Sequence, residues 1–217
     1  MVGVDAEVDL FVGIASVTEC VRLSRRLVSD LVSHRLRLLL TGPPGIGKST
    51  IVERVVGRLR TVGVPVGGFI TRELRERQQR VGFVVDALDG ANAVLAHVSF
   101  AAGPKVGRYR VDIAAFDRLA VPALHRAVQR RDLLVIDEIG RMELASTAFV
   151  EGLQAVLESP ISLLATVHQV AHPVTDKLTQ RPDVEVWTVR QDNRDALTDR
   201  LSTRLITAWQ ANEQGSR

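Results

Sequence analysis

The sequence contains the run Gly42-Pro43-Pro44-Gly45-Ile46-Gly47-Lys48-Ser49, and this stretch decides the fold. It satisfies the P-loop (Walker A) pattern G-x-x-x-x-G-K-[ST]. Glycines let the backbone wrap around phosphates, so that successive N–H groups point at the oxygen anions. Lys48 adds a positive charge near the β- and γ-phosphates, and Ser49 can offer its hydroxyl to Mg²⁺. We therefore predict a site for a nucleoside triphosphate (NTP) with magnesium.

The segments on either side have the pattern that a P-loop requires. The run Leu36-Arg37-Leu38-Leu39-Leu40 precedes it and is typical of a buried parallel strand. After Lys48, apolar residues recur at helical spacing: Ile51, Val52, Val55, Val56 and Leu59. The N-terminus of this helix adds a partial positive charge at the phosphates.

Strands and helices alternate along the rest of the chain. We predict strands over 64–71, 81–85, 93–98, 109–111, 132–138, 161–166 and 184–189, and helices over 113–129, 146–158 and 193–209. Pro122 weakens the first of these helices. An arginine-rich stretch, 72–80, joins two strands as a charged tip and indicates an antiparallel excursion. The pattern predicts an α/β fold with a mainly parallel central sheet, helices on both faces and this excursion.

Residues 1–35 precede the first strand and are predicted to form a helical N-terminal extension. Ser16 and Glu19 have capping-box spacing, and an apolar stripe follows them. The extension either packs on the domain or binds a partner or a membrane surface. Residues 36–217 are predicted to form a single P-loop NTPase domain.

The composition indicates a cytoplasmic globular protein. The apolar fraction is 46%, and the formal net charge of +3 is only mildly basic. No basic stripe with aromatics occurs, so nucleic acid is not an expected partner. Cys20 is the one cysteine, which rules out a disulfide framework within the chain. No apolar run approaches the length of a membrane span.

A second signal is the run Asp132-Leu133-Leu134-Val135-Ile136-Asp137-Glu138. This apolar strand delivers two carboxylates at its C-terminal end, as in the Walker B pattern, and open α/β sheets place ligand sites at that edge. Asp137 is the candidate for holding Mg²⁺ together with Ser49. Glu138 can orient or deprotonate a water molecule aimed at the γ-phosphate. Both predictions depend on the P-loop upstream.

Other polar residues carry weaker signals. His168 and His172 are four residues apart, but no cluster completes a zinc site, and His168 is either a γ-phosphate sensor or a polar loop residue. Five arginines could offer a charge to the γ-phosphate: Arg72, Arg75, Arg80, Arg108 and Arg141. Asp137-Glu138-Ile139-Gly140 fits D-x-x-G, but no Asn-Lys-x-Asp guanine reader occurs. Broad use of NTPs is therefore the expectation.

Several segments together resemble the THEP1 family of nucleoside-triphosphatases over residues 36–200. These segments are Gly42-Pro43-Pro44-Gly45-Ile46-Gly47-Lys48-Ser49-Thr50, Gly67-Gly68-Phe69-Ile70-Thr71-Arg72-Glu73, Arg80-Val81-Gly82-Phe83, Gly103-Pro104-Lys105-Val106-Gly107-Arg108-Tyr109, Ile136-Asp137-Glu138-Ile139-Gly140-Arg141-Met142-Glu143, Ala165-Thr166-Val167-His168 and Asn193-Arg194-Asp195. The Gly-Gly-Phe and Asp-Glu-Ile-Gly-x-Met-Glu segments discriminate this family from other P-loop proteins.

The resemblance implies a RecA-like P-loop fold and Mg²⁺-dependent hydrolysis of ATP, GTP and other NTPs to the diphosphate and phosphate. By this likeness Gly42 to Thr50 carry the phosphate site, Asp137 the metal and Glu138 the water. Two departures stand out. Gln169 replaces the basic residue that family members often have after the histidine, and residues 1–35 exceed the usual family start.

The leading functional prediction is an NTPase whose catalytic groups are Lys48 and Glu138, with ATP, GTP, CTP and UTP as substrates. A nucleotide or small-molecule kinase would use the same P-loop, with residues 72–80 as a lid over the acceptor. A nucleotide-dependent switch would show negligible chemistry without its partner. The sequence leaves open the pathway, base preference, oligomeric state and the source of any arginine finger.

Overall fold

The computed structural model describes residues 35–215, and side chains through residue 213. The predicted N-terminal helix, which includes Cys20, lies outside the described residues, so this helix stays a prediction. Residues 35–215 belong to one compact unit. Because the residues before 35 are not described, the predicted domain boundary at residue 35 also stays a prediction.

Within the described range, nine strands form one sheet. They are β1 (Arg37–Thr41), β2 (Val66–Glu76), β3 (Gln79–Ala87), β4 (Asn92–His97), β5 (Lys105–Val106), β6 (Tyr109–Val111), β7 (Leu133–Ile139), β8 (Leu163–Val167) and β9 (Glu185–Thr188). Their order across the sheet is β5-β6-β4-β3-β2-β7-β8-β1-β9. Strands β2, β7, β8, β1 and β9 pair in parallel, whereas β3 to β6 extend the sheet with antiparallel pairing. The mixed α/β architecture with an antiparallel excursion is confirmed.

Helices cover both faces of the parallel strands. They are α1 (Lys48–Thr61), α2 (Ile113–Arg130), α3 (Thr147–Glu158), α4 (Pro173–Thr179) and α5 (Arg194–Gly215), with a 3₁₀ turn at Glu143–Ala145. One core lies under α1 and α5, and the other lies under α2 and α3. Successive side chains of a strand point to opposite faces, and β1 shows this: Leu38 and Leu40 face the first core, and Leu39 faces the second.

Burial of an apolar face stabilises each of the helices α1 and α2. The five apolar residues predicted on one face of α1 are all buried. The apolar face of α2 is buried as well, and it includes Phe116, Leu119, Ala120, Leu124 and Ala127. Helix α2 continues through Pro122, although proline costs about 3 kcal/mol in a helix interior. Packing of Phe116 and Leu124, both fully buried, outweighs that cost.

The structure differs from the sequence-based predictions in residues 72–76 and in helix α4, and it adds the short strand β5, which was not predicted. Residues 72–76 are not part of a charged tip but continue strand β2, because they pair with β3 as far as Glu76. The turn contains only Arg77 and Gln78, both at positive φ (45° and 68°), which matches the twist of a tight hairpin. Helix α4 was not predicted; Pro173 opens it, and His172 caps it by accepting a hydrogen bond from the Val174 N–H at 3.2 Å.

Candidate active site

The P-loop connects the C-terminal end of β1 to the first turn of α1. Lys48 is buried and donates hydrogen bonds from Nζ to the carbonyls of Gly42 (3.0 Å) and Pro43 (3.4 Å). The Ile46 N–H donates to the Pro43 carbonyl at 3.2 Å and tightens the loop. Gly47 has a φ of 106°, a value that favours glycine. The loop is thus curled around its own lysine, with α1 beginning at that residue.

A cavity of about 630 Å³ opens beside this loop. Six of the nine predicted nucleotide-binding residues line it: Pro44, Gly45, Gly47, Lys48, Ser49 and Thr50. The other three serve the loop itself. Gly42 and Pro43 supply the carbonyls that hold Lys48, and Ile46 packs on the core under α1. Both predicted carboxylates, Asp137 and Glu138, line the same cavity.

An irregularity in β7 turns the two carboxylates toward the loop. Ile136 pairs with Ala165 and Ile139 with Val167, so Asp137 and Glu138 lie opposite Thr166 alone. Such a bulge bends a strand and redirects its side chains. The alternation that would send neighbouring residues to opposite faces is therefore broken at this point.

Asp137 is almost completely buried, with 1% of its surface exposed. Its Oδ1 accepts a hydrogen bond from the Thr166 hydroxyl at 2.6 Å, but Oδ2 accepts none from the described residues. Burial raises the pKa of Asp137 to about 6, and the Glu138 charge adds to this rise; the Thr166 and Ser49 hydroxyls and the Lys48 charge oppose it. A buried carboxylate oxygen without a partner beside the Ser49 hydroxyl suits a hard cation such as Mg²⁺.

Glu143 is a cavity residue to which the sequence analysis assigned no role. It opens the 3₁₀ turn, is 4% exposed, and accepts a hydrogen bond at Oε2 from the Gly140 N–H at 3.1 Å. Burial raises the pKa of Glu143 to about 8, with the Glu138 and Asp137 charges adding to the rise. In the sequence, Glu143 was marked only as the last residue of the Asp-Glu-Ile-Gly-x-Met-Glu segment. The spacing of residues in that segment does not show that the Glu143 side chain is buried.

The Glu138 and Glu143 carboxylates both lie next to Gly140. A Cβ placed on Gly140 would lie 3.0 Å from Glu138 Oε1 and 3.1 Å from Glu143 Oε2. With contacts this short, the two carboxylates would have to shift if residue 140 carried a side chain. The missing side chain of Gly140 thus leaves room for two carboxyl groups on one wall of the cavity.

The candidate arginines divide by position. Arg72, Arg80 and Arg141 line the cavity, whereas Arg75 and Arg108 do not. Arg72 pairs with Asp86 at 2.7 Å, and Arg80 pairs with Glu73 at 2.6 Å. Arg141 has no ion pair or hydrogen bond with the described residues, so its exposed guanidinium is the one among these three left for a ligand.

The two candidate histidines are separated by the structure. His168 lines the cavity just after β8, and its Nδ1 accepts a hydrogen bond from the Val170 N–H at 3.0 Å. His172 caps α4. Among the described residues, no three or more His, Cys, Asp or Glu side chains are arranged so that they could hold a metal ion together.

Comparison with known proteins places this site in a family. A family model described as NTPase matches residues 37–202. A nucleoside-triphosphatase THEP1 from Thermofilum pendens is 42% identical over 172 residues, which cover 78% of this chain and 94% of that protein. The chain belongs to the THEP1 family of nucleoside-triphosphatases.

Solved structures agree with this assignment to the THEP1 family. The crystal structure of THEP1 from Aquifex aeolicus matches with a TM-score of 0.72 and 31% identity, covering 78% of this chain and 99% of that one. The solution structure of a human cancer-related nucleoside triphosphatase matches with a TM-score of 0.67 and 35% identity, covering 77% and 96%. The predicted P-loop NTPase fold is confirmed.

Membership of the THEP1 family establishes the class of activity. The protein is an enzyme, a nucleoside-triphosphatase, and its substrates are nucleoside triphosphates. None of the helices described between residues 35 and 215 is long and apolar enough to cross a membrane.

Glu143 gives this THEP1 site a testable effect of pH on stability. The pKa of Glu143 is 4.5 in the unfolded state and about 8 in the folded state. Between pH 4.5 and about 8, the Glu143 carboxyl group is therefore protonated in the folded protein but ionised in the unfolded chain. The stability that this proton confers is full below pH 4.5 and is lost as pH rises to about 8. In the wild type, the free energy of unfolding should decrease between pH 5 and 8. We expect Glu143→Gln to make this decrease smaller by several kcal/mol, since each pKa unit is worth about 1.4 kcal/mol.

Urea unfolding at several pH values measures this effect. Glu151→Gln is the matched control, because Glu151 is exposed on α3 and its replacement should leave the slope unchanged. Some slope should remain in Glu143→Gln, since the raised pKa of Asp137 acts in the same direction. Equal slopes in Glu143→Gln and wild type would show that Glu143 does not hold a proton in the folded state.

Proposed function

We propose that this protein hydrolyses ATP, GTP, CTP and UTP at the bond between the β- and γ-phosphates, with Mg²⁺ as cofactor and Glu138 as the group that orients water. The proposal rests on one observation: Lys48 of the P-loop lines the same cavity as Asp137 and Glu138, the two carboxylates at the end of β7. The family establishes nucleoside-triphosphatase activity. The metal, the role of Glu138 and the range of bases are our proposal.

The P-loop supplies the binding and most of the charge stabilisation. Lys48 already lies against the carbonyls of Gly42 and Pro43, so its ammonium group is held inside the curve of the loop. There it offsets negative charge on the β- and γ-phosphates, as do the N–H groups of the loop. Ser49 and Asp137 would hold Mg²⁺, which supplies further neutralisation of the phosphate oxygens when bound.

Glu138 is the group proposed to act on the water. It is half-buried, lines the cavity and follows the metal candidate Asp137 directly. The water oxygen forms a bond to the γ-phosphorus while the bond to the bridging oxygen breaks, and Glu138 accepts the water proton. Arg141 lines the cavity and has no ion pair within the described part of the chain, so its guanidinium can stabilise charge on the γ-phosphate.

The proposal predicts Mg²⁺-dependent phosphate release from all four NTPs. We expect values of kcat/KM within about tenfold of one another, because no base-reading motif is present and tenfold corresponds to only about 1.4 kcal/mol. Chelation with EDTA should reduce release to background. Asp137→Asn should raise the Mg²⁺ concentration for half-maximal turnover at least about tenfold.

Phosphate release assays with purified protein test these expectations. The matched control is Asp176→Asn, since Asp176 is exposed on α4, outside the cavity. Full activity in EDTA would contradict the magnesium site, and turnover of a single NTP would contradict broad base use. Transfer of labelled γ-phosphate to a hydroxyl acceptor, without release, would favour the kinase alternative.

A further inference from the structure

The P-loop strand has different neighbours on its two sides, and this asymmetry orients a bound nucleotide. On one side β8 separates β1 from β7, which carries Asp137 and Glu138. On the other side β1 pairs directly with β9. A triphosphate whose γ-phosphate lies at the two carboxylates therefore directs its nucleoside end toward the β9 side of the sheet.

The segment after β9 packs tightly against the loop at this side. The Val189 N–H donates to the Thr41 carbonyl at 2.8 Å, and a Cβ on Gly42 would lie 2.9 Å from the Val189 carbonyl oxygen. Asn193 then fixes the turn into α5, because its side chain donates to the Thr188 carbonyl (3.0 Å) and accepts from the Arg190 N–H (2.8 Å). The first residue of α5 is thereby held beside the P-loop.

That residue is Arg194, and it stands against Gly47. A Cβ on Gly47 would lie 3.4 Å from Arg194 Cδ and 3.7 Å from one of its terminal nitrogens. The absence of a side chain at Gly47 thus lets the arginine approach the backbone that cradles the phosphates. Arg194 itself is exposed.

Within residues 35–215, the guanidinium of Arg194 has no partner, whereas the arginines that face α5 from α1 are paired. Arg54 pairs with Asp195 at 3.2 Å and Arg58 with Asp199 at 2.5 Å across the contact of α1 and α5. Among the described residues, Arg194 has neither an ion pair nor a side-chain hydrogen bond, although Asp195 is its neighbour in sequence. Its planar charged group is therefore available to a ligand of the P-loop.

Resting on the proposed function, we propose that Arg194 is the base platform of this enzyme: the nucleobase of the bound NTP stacks on its guanidinium. A guanidinium stacks on the π-face of a ring, and every nucleobase has such a face. Stacking therefore binds all four bases with similar strength and reads no donor or acceptor pattern. Arg194 is thus a residue that determines base tolerance, not a catalytic residue.

The test measures binding and so does not depend on turnover. Titration calorimetry would give the Kd of the β,γ-imido analogues of ATP, GTP, CTP and UTP with Mg²⁺, and the Kd of inorganic tripolyphosphate, which has no base. We expect Arg194→Ala to raise the Kd of all four nucleotides roughly 3- to 30-fold, the range of cation–π contacts. The Kd of tripolyphosphate should stay the same.

Two further variants separate stacking from charge and from loss of folding. Arg194→Lys keeps the charge but loses the planar face, so it should weaken nucleotide binding nearly as much as Arg194→Ala. Arg200→Ala is the matched control, because Arg200 lies on the same helix over Trp187, 4.7 Å from the ring centre. Its nucleotide affinities should equal those of wild type.

Three results would overturn the platform. Unchanged nucleotide affinity in Arg194→Ala would show that Arg194 does not touch the base. Equal weakening of tripolyphosphate would place Arg194 on the phosphates, and full rescue by lysine would show that charge alone acts. Wild-type protein that binds nucleotides but releases no phosphate would instead contradict the proposed hydrolysis and leave the Arg194 measurement valid.

Discussion

Replacement of Lys48 by alanine is expected to lower kcat/KM for ATP on the order of 10³-fold, the upper range for removing one preorganised group that stabilises transition-state charge. Lys48 is only 7% exposed and its ammonium group bonds to two loop carbonyls. Alanine removes both the cation that would face the phosphates and the contacts of Nζ with the loop carbonyls. Binding of Mg²⁺-ATP should weaken together with turnover.

The measurement is steady-state phosphate release with Mg²⁺-ATP, supported by titration calorimetry for binding. Lys177→Ala is the matched control, because Lys177 is exposed on α4 and does not line the cavity. It should retain wild-type kinetics. Wild-type turnover by Lys48→Ala would contradict the assignment of the P-loop as the phosphate site.

Glu138→Gln is expected to lower kcat by about 10²-fold or more while Mg²⁺-ATP still binds. The amide has the size of the carboxylate but cannot accept the water proton at neutral pH. Only the transition state should lose stabilisation, so KM should change little. Phosphate release measured beside binding of the β,γ-imido analogue of ATP separates these two quantities.

Glu143→Gln tells which carboxyl group acts on the water. Glu143 lies beside Glu138 at Gly140, but its raised pKa keeps it protonated at neutral pH and thus unable to serve as a base. We expect Glu143→Gln to lose less activity than Glu138→Gln. The reverse order would move the role of base to Glu143 and contradict the proposal for Glu138.

Some of the sequence-based predictions were right because short-range patterns decided them. The apolar spacing after Lys48 requires one helical face to be buried, and all five residues named for that face are buried in α1. The P-loop pattern likewise specifies a strand, a glycine loop and a helix within a few residues. The prediction of a charged tip over 72–80 was wrong because a nearly continuous polar run fits both a loop and an exposed strand, and only pairing with β3 distinguishes them.

By itself, the sequence determined the P-loop, the apolar strands, the main helices and the family, since each of these is recognised from short segments of neighbouring residues. The tertiary structure decided the strand order, the bulge that aims Asp137 and Glu138 at the loop, the burial of Glu143 and the contact of Arg194 with Gly47. Asp137 and Thr166, for example, are 29 residues apart and share a hydrogen bond. Burial and long-range contacts of this kind arise only when distant strands pair, so no local pattern encodes them.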